Sequence, residues 1–186
     1  MTTNQRIIYN NNRFYNINNF WFPSVTSILK QLSEDGISRW KQRIGKEQAD
    51  KIIQYSTERG TRIHLYCELY LKNNYNMSFE VDLMENFNDV DINYFKNTFT
   101  SYLNNISNIK LLEETLYSNK YKYAGTVDCI GEYDKQLSII DFKTSEKPKL
   151  FNYITSYFLQ TAAYSIAYEE ITGIKIDNLV IIIGVN

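Results

Sequence analysis

The chain is poor in proline, cysteine and histidine: 186 residues hold two prolines, two cysteines and a single histidine. Cys67 and Cys129 cannot build a disulfide framework, and their separation matches no metal knuckle. Both sit in apolar surroundings and are predicted to be buried thiols. No run approaches the roughly 18 apolar residues of a membrane span. The opening, MTTNQRIIYNNNRFYN, lacks the apolar centre and small-residue cleavage site of a signal peptide. An intracellular location is therefore expected. An excess of one charge is also missing: a formal net charge of −1 excludes a broad basic surface for polyanions, but not a local one.

The length suits one domain, 1–186, with one substantial core. Residues 1–20 read as a polar, Asn-rich arm or hairpin. A mostly helical wall is expected over 22–106. Within it Ser24 is a candidate cap for a helix opening at Phe22-Pro23-Ser24-Val25-Thr26. Gly36 precedes a second pattern from Ile37 to about Tyr55. Gly60 precedes a clearer helix, with Ile63, Tyr66, Cys67, Tyr70 and Leu71 as its apolar stripe. A further helix is predicted over 91–103, facing inward through Ile92, Phe95, Phe99 and Leu103. Basic residues gather between Lys30 and Arg59, whereas Glu80 to Asp91 is acidic.

At Ile109 the period changes. Strands are predicted at 109–118, 122–131 and 136–143, with a turn at Glu132-Tyr133-Asp134-Lys135. A helix follows over 152–171, capped by Gly173. Leu179–Ile183 reads as a last strand, buried on both faces because it lacks alternation. This order predicts an α/β fold: a mixed central sheet over 109–186, flanked by helices, with a parallel pair made by the crossover helix.

The segment YAGTVDCIGEYDKQLSIIDFKT carries the sharpest chemistry. In a hairpin, Asp128 and Asp141 converge, and Lys143 shares the strand face of Asp141 because side chains alternate with period two. Two carboxylates and an ammonium at one strand end suit a divalent cation beside a phosphodiester. An exposed edge strand carrying a solvated Asp and Lys is the bland reading. Gly125, three residues before Asp128, leaves room for backbone or substrate. His64 and Glu68 lie one turn apart on a helix and would form a joint polar site. Glu113 is an acid on an apolar strand, either an auxiliary ligand or the partner of a basic side chain. Gln160 and Tyr164 share a face of the last helix and offer uncharged hydrogen bonds.

Several ordered pieces carry a resemblance: FPSVTSIL, RGTRIHLYCELYL, EETLYS, YAGTVDCIG, IIDFKTS and QTAAY. In this order they resemble the PD-(D/E)XK nuclease superfamily, in its RecB-like exonuclease branch. Among its members they look most like mitochondrial genome-maintenance exonucleases and their bacteriophage relatives. The resemblance implies a restriction-endonuclease-like fold and a metal-dependent exonuclease acting on single-stranded DNA or DNA ends. It implies Mg2+ or Mn2+, as two ions, held by His64, Asp128, Asp141 and the backbone carbonyl of Phe142. Lys143, Gln160 and Tyr164 complete the catalytic set, with Glu68 and Glu113 auxiliary and Glu114 an alternative register for the latter. Arg59, Arg62, Thr144, Ser145 and Tyr164 are the implied DNA contacts. Two cysteines are too few for the iron–sulfur cluster of some relatives. A bacterial cytoplasm is ranked above the mitochondrion. A catalytically inactive nucleic-acid-binding module and a small-phosphoester hydrolase are the alternatives.

Overall fold

The computed structural model describes residues 5–32, 34–73 and 87–185. The first part of the acidic segment, 80–86, and residues 1–4 lie outside them. Where an arm or a single hairpin is expected, the amino-terminal segment forms a three-stranded antiparallel meander. Its strands are β1 (Arg6–Tyr9), β2 (Asn12–Ile17) and β3 (Phe20–Pro23). Each connection is a two-residue turn, Asn10-Asn11 and Asn18-Asn19, with φ of 48°, 60°, 51° and 67°. Positive φ at both central residues matches the right-handed twist of the flanking strands, and asparagine tolerates it better than most residues.

Ser24 caps α1 (Val25–Gln31) by accepting from the Ser27 backbone N–H at 3.0 Å. Helix α2 spans Glu34–Ile44. The two patterns expected at 37–55 and beyond Gly60 are divided differently in the structure. Gly45, at φ 87°, separates α2 from α3, and α3 runs unbroken from Lys46 to Asn73. Gly60 lies inside α3, and its missing side chain leaves open space. A mid-helix glycine costs only about 1 kcal/mol, less than the apolar burial of Ile63, Tyr66 and Cys67 returns. Helix α4 (Asp89–Leu103) packs against α3, with the Tyr66 and Phe95 rings 5.1 Å apart.

The central sheet has the order β4 (Ile106–Ser118), β5 (Tyr123–Tyr133), β6 (Gln136–Ser145) and β7 (Asn178–Val185). The first three are antiparallel and β7 is parallel to β6, joined through α5 (Thr155–Thr172). This is the mixed sheet flanked by helices that the sequence predicts. The β5–β6 turn is tighter than expected, just Asp134-Lys135 at φ 49° and 69°. β7 is an edge strand and mostly half-buried, not sealed on both faces. Its apolar run reflects packing by α4 and α5 rather than central position. Gly173 caps α5 at φ 74°. One core lies between the sheet and α3–α4, holding Cys67, Cys129, Ile140 and Phe142. The other lies towards α1 and α5, holding Val127, Ile130, Ile139 and Tyr164. Both cysteines are free and buried, as predicted.

Candidate metal centre and its cleft

The phase of two strands reverses at one point. Val127 packs in the α5-side core and Cys129 in the α3-side core, although residues two apart share a face of a regular strand. On β4, Leu112 and Leu116 part in the same way. Glu113 stands at this reversal in the left-handed region, φ 52°, a conformation that a side chain bearing Cβ rarely adopts. Leu112 pairs with Cys129 and Glu114 with Val127, so Glu113 and Asp128 stand opposite one another. The reversal frees both acids from the pleat and brings them to His64 on α3. Glu114 is exposed, whereas Glu113 faces His64.

A second irregularity opens the cleft. The β5–β6 ladder runs from the turn to Cys129 and Ile140, and beyond that pair the strands part. In place of a ladder bond, the backbone N–H of Phe142 donates to Asp128 Oδ2 at 2.7 Å. Asp128 Oδ1 then faces His64 Nδ1 at 3.3 Å, and Glu113 Oε1 lies 3.6 Å from the same nitrogen. One ligand atom each from His64, Glu113 and Asp128 falls within 4.8 Å of the others. Burial alone would lower the His64 imidazole, but the charge and hydrogen bond of Asp128, with Glu113, push it up to about 10. Two carboxylates facing one imidazole at these distances favour positive charge between them. An imidazole and two carboxylates are also donors that a divalent ion accepts.

Asp141 stands behind this trio rather than within it. It is fully buried, ion-paired with Lys143, and accepts from Gln160 Nε2 at 2.8 Å. Burial raises the Asp141 carboxyl above the usual range, with Lys143 opposing. Gln160 lies 3.5 Å from the Tyr164 hydroxyl. The space left by Gly125 belongs to Tyr164, since a Cβ there would meet its ring at 2.8 Å. Lys143 also lies 5.4 Å from the centre of the Tyr157 ring.

Other residues expected at the site lie elsewhere. Glu68 pairs with Lys72 at 2.5 Å along α3, and Arg62 pairs with Asp91 of α4 at 2.8 Å. Arg59, Thr144 and Ser145 line a separate cavity on the α3 side of β6. Sequence reading missed Arg6 and Arg13, which the meander carries to the mouth of the cleft, together with Tyr15, Thr26 and Thr126. Tyr15 hydroxyl and Thr126 Oγ1, 3.1 Å apart, pin the meander to β5. The Asn-Asn pairs flanked by apolar residues were the signal for those strands. The resulting cleft encloses about 310 Å³.

No family model matches the chain. It is similar to mitochondrial genome maintenance exonuclease 1 from three animals. The Homo sapiens protein is 32% identical over 166 residues, covering 81% of this chain and 45% of the relative. The Xenopus tropicalis protein is 32% identical over 153 residues, covering 76% and 42%. The Mus musculus protein is 31% identical over 135 residues, covering 68% and 38%. The chain thus spans less than half the length of these relatives. All three are mitochondrial by name, and this overturns the ranking of a bacterial cytoplasm above the mitochondrion.

Proposed function

The chain belongs to the RecB-like branch of the PD-(D/E)XK nuclease superfamily, and from that premise we propose that it is a metal-dependent exonuclease acting on single-stranded DNA or DNA ends. The observation that carries the proposal is the meeting of His64, Glu113 and Asp128 with the Lys143–Asp141–Gln160 chain in one cleft. A divalent ion, Mg2+ or Mn2+, held by His64, Glu113 and Asp128, would stabilise charge on a phosphate and acidify a water. A second ion is proposed beside Asp128, Asp141 and the Phe142 carbonyl.

The chain's own groups supply the rest. Lys143, held by Asp141, offers its ammonium to the attacking water or to a phosphoryl oxygen as charge builds there. Gln160 fixes the Asp141 carboxylate from behind, and Tyr164 fixes Gln160. Arg6 and Arg13 bring positive charge to the mouth, where a phosphate backbone would enter. The cleft of about 310 Å³, lined in part by the meander, has room for a nucleotide-sized group, in keeping with a single strand or an end entering it.

Timed digestion of end-labelled linear and circular DNA, single- and double-stranded, with Mg2+, Mn2+ or chelator, tests this. Release of mononucleotides or short products from linear single strands, abolished by chelator and absent from circles, is expected. Cleavage of circles would replace the exonuclease reading with an endonuclease. Binding without cleavage would make the chain an inactive module of the same fold, and activity confined to small phosphoesters would remove the nucleic-acid substrate.

A further inference from the structure

On α3 one row of covered residues runs Ile52, Ser56, Arg59, Ile63 and Tyr66, spaced by three and four, the first three lining a cavity and the last two in the core. Arginine is out of place in such a stripe. Arg59 is only 5% exposed, and its Nε and Nη1 are buried with no hydrogen-bond partner. Among the described residues it makes no ion pair. Its guanidinium carbon lies 5.9 Å from the centre of the Tyr55 ring. A ring face does not satisfy two buried N–H donors. A buried, unpaired guanidinium is costly unless an anion completes it.

The space in front of Arg59 is a cavity of about 320 Å³. Its other walls are Thr144 and Ser145 at the end of β6, and Glu146, Lys147 and Lys149 in the loop that follows. Ser145 Oγ donates to the Lys147 carbonyl at 2.6 Å and curls that loop back over the cavity. Neither lysine is ion-paired among the described residues. Glu146 is the one acid on the rim, and it is exposed and does not reach the guanidinium. One buried fork of donors, two exposed ammonium groups and a threonine hydroxyl form a receptor for a tetrahedral oxyanion.

The cavity is separate from the catalytic cleft, yet adjacent to it. Lys143 lines the cleft, and the next two residues, Thr144 and Ser145 at the end of β6, line the cavity. Along α3, Arg59 precedes His64 by five residues, about 7.5 Å of helix axis, the scale of one nucleotide step in an extended strand. We propose that this cavity is a second phosphate-binding subsite, which grips a nucleic-acid strand by a phosphate outside the catalytic cleft. The choice of a nucleic acid rests on the nuclease reading, whereas the anion chemistry rests on Arg59 and the groups around it.

The test compares wild type with Arg59→Gln and Arg59→Lys on single-stranded oligonucleotides bearing hydroxyl, 5′-phosphate or 3′-phosphate ends. Loss of the guanidinium should lower kcat/KM by about tenfold. It should also make the log–log salt dependence of binding shallower by about 0.7, one single-strand phosphate contact. Arg59→Lys should recover part of both. An equal penalty on all three substrates marks an internal phosphodiester, and a penalty confined to one phosphorylated end marks a terminal phosphate. Should Arg59→Gln fail to fold, the double variant Lys147→Ala with Lys149→Ala, confined to exposed side chains, reads the same slope. A folded variant with unchanged salt slope and kcat/KM overturns the subsite. If wild type cleaves no nucleic acid, the nuclease reading fails separately. Titration with inorganic phosphate then decides the subsite: a saturable shift of the Arg59 Nε resonance supports it, and none overturns it.

Discussion

Asp128 accepts a 2.7 Å hydrogen bond from the Phe142 backbone N–H, so one carboxylate both closes the parting of β5 and β6 and faces the candidate metal centre. Its two oxygens are divided between these tasks, with Oδ2 on the backbone and Oδ1 on His64. Structure and chemistry can therefore be separated by substitution.

Asp128→Asn keeps an acceptor for the Phe142 N–H and discards the charge. Asp128→Ala discards both and leaves a buried donor unsatisfied, a cost of about 1–3 kcal/mol. Both variants should lose nearly all metal-supported cleavage. In thermal melts without metal, Asp128→Ala should unfold at clearly lower temperature than Asp128→Asn. Equal melting temperatures would show that the Phe142 bond contributes nothing to stability where β5 and β6 part.

Glu113 tests the strand reversal in the same way. A residue with Cβ at φ 52° carries strain of about 1–2 kcal/mol, which glycine does not share. Glu113→Gly should accordingly be more stable than Glu113→Ala by about 1 kcal/mol in denaturant titration. Each should bind metal more weakly than wild type. If alanine is as well tolerated as glycine, the backbone there relaxes and is not held by the fold.

This reversal explains why part of the site was legible in the sequence and part was not. Asp141 and Lys143 follow from simple alternation, and the structure pairs them. The period-two and period-3.6 patterns likewise placed β4 to β7, α4 and α5 within a few residues. Alternation cannot, however, foresee a strand that changes phase at Glu113 and Asp128, so the meeting of His64 with both acids rested on resemblance rather than on spacing. The amino-terminal meander was misread because composition hid the turns. Asn10-Asn11 and Asn18-Asn19 looked like polarity, yet their left-handed backbone makes the strands that bring Arg6 and Arg13 to the cleft. Gly60 was treated as a boundary because its propensity cost is local, while the packing that overrides it is tertiary.

Lys143→Met should cost more than catalysis. The substitution keeps the aliphatic stem but removes the ion pair of the buried Asp141, leaving its hydrogen bond from Gln160. Breaking one side of a buried pair typically costs about 3 kcal/mol or more, and cleavage should fall by about 10² or more through loss of a transition-state donor. Adding Asp141→Asn should restore stability without restoring cleavage. The sign with pH follows from Asp141, whose carboxyl is already raised by burial. A raised acid is destabilising when ionised, so Lys143→Met should regain stability as pH falls and Asp141 takes a proton. A Lys143→Met protein as stable as wild type at mildly alkaline pH, where Asp141 is charged, would show that the lysine does not compensate Asp141.

His64 gives the clearest pH signature in the metal-free protein. Its imidazole, which burial alone would lower, is pushed from 6.5 up to about 10 by Asp128 and Glu113. The folded state then holds the proton more tightly than the unfolded state. Its contribution to stability is complete below pH 6.5 and is lost as pH rises through about 10. Chelated wild type should therefore lose stability between neutral and alkaline pH more steeply than His64→Gln, which has no proton to lose. A divalent ion takes the place of that proton, so Mn2+ should raise the melting temperature of wild type more at alkaline than at mildly acidic pH. In His64→Gln the rise should be smaller and nearly independent of pH across this window. Denaturation at a series of pH values, with chelator and with Mn2+, measures all of these slopes. Parallel profiles for wild type and His64→Gln would mean that the imidazole does not hold its proton between Asp128 and Glu113, and that it stands outside the centre those two acids form.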